Sequence, residues 1–163
     1  MNTAELVAES NRIEGITRAP TAAEIAEHER FVSLTDMSVP ELVAFVKVYQ
    51  PNAVLRDRAG LDVRVGNHVP PRGGLHIPEQ LRAILDEAQA GGLSPWELHV
   101  EYELLHPFTD GNGRSGRALW YWIMAMSGIY ERASALGFLH TFYYQTLSRQ
   151  QWRAVTVGAS APP

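Results

Sequence analysis

The sequence predicts a mostly α-helical fold carrying one small β-hairpin. Two observations point to the helices. Ser/Thr-x-x-Glu pairs recur ahead of apolar residues at helical spacing, and glycine or proline stands where those runs end. The third observation is a single stretch, LDVRVGNHVPPRGGLHI, in which Val63, Val65 and Val69 alternate around turn residues.

The opening MNTAELVAESNRIEG is helical in pattern, and Ser10 and Glu14 lie inside it rather than starting a helix. Thr21 with Glu24 starts a helix to about Leu34, and Ser38 with Glu41 starts another to about Tyr49. Residues 52–77 hold the exposed hairpin. A helix follows from about Pro78 to Ala90 and stops at Gly91-Gly92. Ser94, Pro95 and Glu97 start the next, with proline at its favoured first position. It places Leu98, Tyr102 and Leu105 on one side and ends near His106, because Pro107 disfavours helical geometry in the residue before it. A helix restarts around Asn112 and runs through ALWYWIMAM to Ser127-Gly128. One or two helices are expected after Glu131, and GASAPP is expected to fray.

The chain has 163 residues, 45% of them hydrophobic and 20% charged, which fits one globular domain. A net charge of −4 argues against a nucleic-acid polymer or an anionic membrane as partner. The absence of cysteine excludes disulfides and thiol catalysis and fits a cytoplasmic location. No apolar run has the length needed to cross a bilayer.

HPFTDGNGR, residues 106–114, suits neither a core nor a regular element. Gly-Asn-Gly breaks helices and strands, and Asp110 and Arg114 resist burial unless paired. Singly, His106 and Asp110 could be helix caps and the arginines could pair with surface acids. Together they read as one site. A glycine-rich loop opening a helix presents free N–H groups and the positive end of the helix dipole to an anion. Gly111 and Gly113 admit a phosphate close to the backbone, and Arg114 and Arg117 sit one turn apart on the same side. Two guanidinium forks suit a polyphosphate, Asp110 suits Mg²⁺ beside phosphates, and His106 can accept a proton near neutral pH. The set reads as base, metal ligand and phosphate cradle. It is not a Walker loop, and Gly-Asn-Gly is too short for a dinucleotide fingerprint.

HPFTDGNGRSGR, 106–117, resembles the signature of Fic (Fido) domains, His-x-Phe-x-Asp/Glu-Gly-Asn-Gly-Arg-x-x-Arg, at every defined position. The resemblance extends more weakly over about residues 10–150 and includes FYYQTL at 142–147. It implies a Fic-type helical bundle with a small β-hairpin flap, and an enzyme that moves AMP from ATP to a hydroxyl of a Ser, Thr or Tyr side chain on a target protein, releasing pyrophosphate. On that resemblance His106 deprotonates the hydroxyl, Phe108 anchors the loop and Asp110 holds Mg²⁺. Gly111, Asn112 and Gly113 cradle phosphate oxygens, and Arg114 and Arg117 take the β- and γ-phosphates. The flap, including Val63, Arg64, Val65 and Gly66, aligns the target segment. Kinase-like relatives carry Ala-Asn-Lys-Arg where this chain keeps Gly-Asn-Gly-Arg.

SNRIEG, 10–15, resembles the family's inhibitory motif, Ser/Thr-x-x-x-Glu-Gly/Asn. It implies that residues 1–18 form an N-terminal inhibitory region in which Ser10 and Glu14 act on Arg117, ahead of a core domain at 19–157 and a disordered tail at 158–163. Two other readings stay open: a deadenylylase or a transferase of another nucleotide, and a catalytically silent nucleotide-binding regulatory module. A homo-oligomer is compatible with either. His68 and His76 read as turn histidines rather than a metal clip, and His99 as a packing or capping residue. Trp120, Tyr121 and Trp122 are assigned to the core, and Tyr143 and Tyr144 are candidates for the border of an adenine pocket. Arg56, Arg58 and Arg64 stay open between target contact and plain surface.

Overall fold

The computed structural model describes residues 2–128. Six helices occur among them: α1 Thr3–Ile13, α2 Ala22–Val32, α3 Val39–Tyr49, α4 His76–Gln89, α5 Pro95–Leu105 and α6 Asn112–Met126. The helices expected after Glu131, the FYYQTL segment, Tyr143, Tyr144 and the tail lie outside the described residues. No described helix is long and apolar enough to cross a membrane.

The caps explain where the helices start. Thr21 and Ser94 each accept the backbone N–H three residues on, and Glu24 and Glu97 reach back to the cap N–H. Asn2 and Glu5 do the same for α1, a box that an Asn-led pattern hides from a Ser/Thr search. At α3 only half the expected box forms. Ser38 accepts from Glu41 N–H, but the Glu41 carboxylate goes to Arg30 at 2.6 Å instead.

α6 is the central element. It packs on α5 and α2, with α1 and α3 also against it. Its Leu119 and Trp122 join Phe31, Leu42, Phe45, Leu81, Leu98 and Tyr102 in the main core. α1 belongs to the packing too. Val7 enters that core, while Leu6 and Ile13 pack with Tyr121 in a second cluster. Burying these three apolar side chains stabilises the docked helix by roughly 1.5–3 kcal/mol each.

The expected hairpin at Val63–His76 does not form as a ladder. One bridge joins Val65 and His68 around a tight turn in which Gly66 takes φ 58°. The turn chemistry is therefore present, but Pro70 and Pro71 remove the N–H groups that pairing would need, and no strand occurs here. Val63 is half-buried, whereas Arg64, Val65 and Gly66 are exposed. The base of this flap is held firmly. Gly73 N–H donates to Asp62 at 2.8 Å, and the His68 Nε2 hydrogen-bonds the Leu104 carbonyl at 2.9 Å, so His68 is tied to α5 rather than free in solvent.

Candidate functional site

The turn between α5 and α6 is rigid for reasons visible in its sequence. α5 ends as Pro107 requires, and His106 caps it in the left-handed region at φ 49°, the only non-glycine residue with positive φ among those described. Phe108 is fully buried and its backbone bridges Leu55. Thr109 N–H donates to the Val54 carbonyl and Thr109 Oγ1 accepts from Val54 N–H, so residues 54–56 run along the turn. Asn112 closes it from inside. Its amide accepts from Phe108 N–H at 2.9 Å and donates to the Phe108 carbonyl at 2.8 Å. The Asn112 side chain is therefore committed to the turn, and only its backbone is available to an anion.

Gly111, at φ 80°, starts α6 without a side-chain cap. Ser115 N–H is the first to bond back within the helix, to the Gly111 carbonyl. The helix N–H groups of Asn112, Gly113 and Arg114 are thus the unspent donors at its positive end. Two buried cations lie just behind them. Arg114, 3% exposed, stacks over the Tyr49 ring at 5.5 Å, and its Nε has no hydrogen-bond partner. Burial lowers its pKa from the ordinary arginine value, opposed by the negative charges of Glu14 and Asp110. Among the described residues it has no carboxylate within ion-pair distance.

Arg117, 1% exposed, is held by the N-terminal helix. Its Nε donates to Ser10 Oγ at 2.9 Å, and its Nη2 donates to the Ser10 carbonyl at 2.9 Å and to Glu14 Oε1 at 2.6 Å. The structure thus brings Ser10, Glu14 and Arg117 together. Glu14 also lies against the start of α6. A Cβ on Gly113 would collide with the Glu14 carboxylate and sit 3.1 Å from Arg117 Nη1. A negative charge of the protein itself therefore fills the space beside the free N–H groups.

His106 faces this site as a neutral ring. Burial, with the positive charge of Arg56 next, lowers its pKa from 6.5 to about 4. An imidazole that is unprotonated near pH 7 can accept a proton. Asp110 is exposed at the rim, and its Oδ1 accepts Gly111 N–H at 2.6 Å. No group of three or more metal-binding side chains occurs among the described residues. This donor set fits Mg²⁺, which binds through one or two carboxylates plus substrate phosphates rather than through a protein cage.

Three residues of the site were not legible as such in the sequence. Arg56, left open between target and surface, is fully buried and serves neither. It donates to the carbonyls of Leu61 and Pro71 in the flap and of Leu105 and His106 in the turn, the last at 2.6 Å. Nothing local to VLRDRAG marks one arginine as internal. Tyr49, read only as a helix end, supplies the face under Arg114. Glu103, one turn before His106, is buried with an unpartnered Oε1, and its (i, i+3) spacing to the histidine was the signal available. Arg58 and Arg64, by contrast, are on the surface.

The helical scaffold sets a neutral imidazole beside an arginine-lined helix N-terminus, an arrangement able to accept a proton and to bind an anion. The sequence profile of the Fic/DOC family matches residues 41–124, a stretch that runs from the first turn of α3 through most of α6 and includes the whole turn between α5 and α6. The chain belongs to the Fic/DOC family.

Proposed function

We propose that this protein is an adenylyltransferase acting on proteins and held in check by its own N-terminal helix. ATP is the nucleotide, with its β- and γ-phosphates on Arg114 and Arg117 and its oxygens against the N–H groups of Asn112, Gly113 and Arg114. Asp110 holds Mg²⁺ together with the phosphates, and the ion neutralises phosphate charge when bound. His106 Nε2 takes the proton of a target hydroxyl. The oxygen bonds to the α-phosphorus, the α–β bridging bond breaks and pyrophosphate leaves. The flap around Val63, Arg64, Val65 and Gly66 guides the target segment through backbone hydrogen bonds. Glu14 competes for Arg117, so that ATP loses its γ-phosphate partner and its α-phosphate is misplaced. Positioning carries most of phosphoryl-type catalysis, so that displacement is inhibitory.

One observation carries this reading. The Glu14 carboxylate sits 2.6 Å from Arg117 and beside Gly113, the position that the turn otherwise offers to a substrate anion. The test incubates wild type, Glu14→Gly and Glu14→Gly/His106→Ala with Mg²⁺ and ATP radiolabelled at the α-phosphorus, in a cell lysate. Protein-bound label should appear with Glu14→Gly and disappear in the double variant. Equal label in wild type and Glu14→Gly would remove the inhibitory role. Label that survives His106→Ala would remove the proposed base.

A further inference from the structure

Glu103 is a buried carboxyl group for which the proposed chemistry has so far given no use. Its Oε2 lies 3.8 Å from Nδ1 of His106, with only 11% and 14% of the two side chains exposed. Glu103 Oε1 has no hydrogen-bond partner, and the only polar group drawn to the His106 ring from its own helix besides this carboxyl is the Glu103 backbone carbonyl, whose interaction with the ring falls short of standard geometry. Leaving a carboxyl oxygen buried and unsatisfied is costly, and function is a common reason for such an atom. The fold also makes room for it. A Cβ on Gly116 would stand 2.5 Å from Glu103 Oε1 and 3.0 Å from Tyr102 Cδ1, so the missing side chain at Gly116 is the slot that the carboxyl fills.

We propose that Glu103 is a positioning residue for His106, whose carboxylate accepts the proton carried by Nδ1 and so leaves Nε2 free to take the proton of the incoming hydroxyl. This rests on the reading of His106 as the base. A gap of 3.8 Å exceeds a hydrogen bond, but catalytic pairs are often that loose before substrate is bound. An ionised acid behind the ring stabilises the imidazolium that forms, as the acid of any base–orienter pair does.

The electrostatic surroundings bear on when this works. Glu103 faces Arg117 from α6, Glu14 from the end of α1 and Tyr102 on its own helix. His99 converges with it on Gly116. His106 in turn faces Arg56, His68 and Glu14. Burial outweighs Arg117 and raises the Glu103 pKa to about 7. Below that pH the protonated carboxyl can donate to Nδ1 as well as accept from it, so it no longer holds the ring proton on Nδ1. Above it, the carboxylate accepts from Nδ1 and the base is ready.

The deciding experiment reads the ring directly. Histidine-selective ¹⁵N labelling with two-bond proton–nitrogen spectra, from about pH 6 to about pH 9, reports the His106 tautomer in wild type, Glu103→Gln and Glu103→Leu, with His106→Ala assigning the signal. In wild type the Nδ1–H tautomer should gain population as pH rises through neutrality. Both Glu103 variants should lose that transition, and the near-isosteric Gln variant decides if Leu does not fold. The same tautomer at every pH in all three proteins would overturn the proposal, because the Glu103 backbone carbonyl alone would then hold Nδ1. In the Glu14→Gly background, Glu103→Leu should cut kcat for α-phosphorus labelling by roughly 10- to 100-fold with KM for ATP unchanged. A rise in KM with kcat unchanged would also overturn it. The spectra need no turnover, so they judge Glu103 even if adenylyl transfer proves to be the wrong activity.

Discussion

On the proposed reading, removing the Glu14 carboxylate should act on stability and on nucleotide affinity in opposite directions. Arg117 is 1% exposed, and in Glu14→Ala it would lose its hydrogen bond to a carboxylate while those to Ser10 Oγ and the Ser10 carbonyl remain. A hydrogen bond to a charged group contributes roughly 1.5–3 kcal/mol. The Glu14 side chain is 33% exposed, so solvent screening places this one near the lower end, about 1.5 kcal/mol. For a chain of this length that loss lowers the nucleotide-free Tm by roughly 3–6 °C. If ATP must displace Glu14 to reach Arg117, the same energy is returned on binding, so Mg-ATP should bind about tenfold more tightly to the variant. Differential scanning fluorimetry with and without Mg-ATP, joined to isothermal titration, measures both halves. The variant should melt below wild type without nucleotide and close the gap at saturation. An unchanged nucleotide-free Tm, or a weaker affinity for ATP, would refute the competition between Glu14 and phosphate.

Arg56→Met should destabilise by about 3–5 kcal/mol, because carbonyls of Leu61, Pro71, Leu105 and His106 lose one shared donor; chemical denaturation gives the figure, and a loss under 1 kcal/mol would mean the staple is idle. Gly113→Ala in the Glu14→Gly background should leave Tm nearly unchanged but weaken Mg-ATP binding by roughly tenfold or more, since the new methyl group occupies the anion's approach; equal affinity by titration would move the phosphate site elsewhere. Stability should also rise with pH between about 4 and about 6.5. Burial holds the His28 and His99 pKa values at about 4 against 6.5, so the unfolded chain binds more protons across that window, and each residue accounts for up to roughly 3 kcal/mol. Glu103, raised by burial to about 7, works in the opposite sense and offsets part of the slope above its ordinary pKa of 4.5. Urea denaturation across the range measures the net trend, and a flat or falling profile would contradict it.

The helices were legible because their signals are local. Thr21-x-x-Glu24 and Ser94-x-x-Glu97 fix two starts by hydrogen bonds within four residues, and Pro107 fixes a stop by clash with its neighbour. The turn at 106–117 stood out because Gly-Asn-Gly between a histidine, an acid and two arginines suits neither a core nor a regular element. What escaped was long-range. The pairing of residues 54–56 with the turn joins parts of the chain more than fifty positions apart, and no local pattern announces it. The flap misled for a related reason: valine alternation and a Gly66-Asn67 turn predict a ladder, but a ladder also needs donors, which Pro70 and Pro71 lack. Glu103 was visible only through its (i, i+3) spacing to His106, a spacing that many surface acids share, and burial is what sets it apart.

On the proposed reading, magnitudes also separate two ways in which inhibition could be lifted. Undocking α1 exposes Leu6, Val7 and Ile13, at a cost of roughly 5–9 kcal/mol in total. Part of that is offset because Asn11, fully buried with neither amide atom partnered, regains water. Swinging the Glu14 side chain alone costs only its one hydrogen bond to Arg117, about 1.5 kcal/mol after screening. Glu14 is the C-cap of α1, a third of its side chain reaches solvent, and Gly15 at φ 76° follows it, so the carboxylate can move without the helix. The smaller step is the cheaper one, and the charge of a polyphosphate would offset part of it by replacing what Arg117 loses, while Glu14 at rest keeps that place filled. Departure of the whole helix requires a partner that covers the exposed apolar face, and regulation by such a partner would add to, rather than replace, the exchange of one anion for another at Arg117.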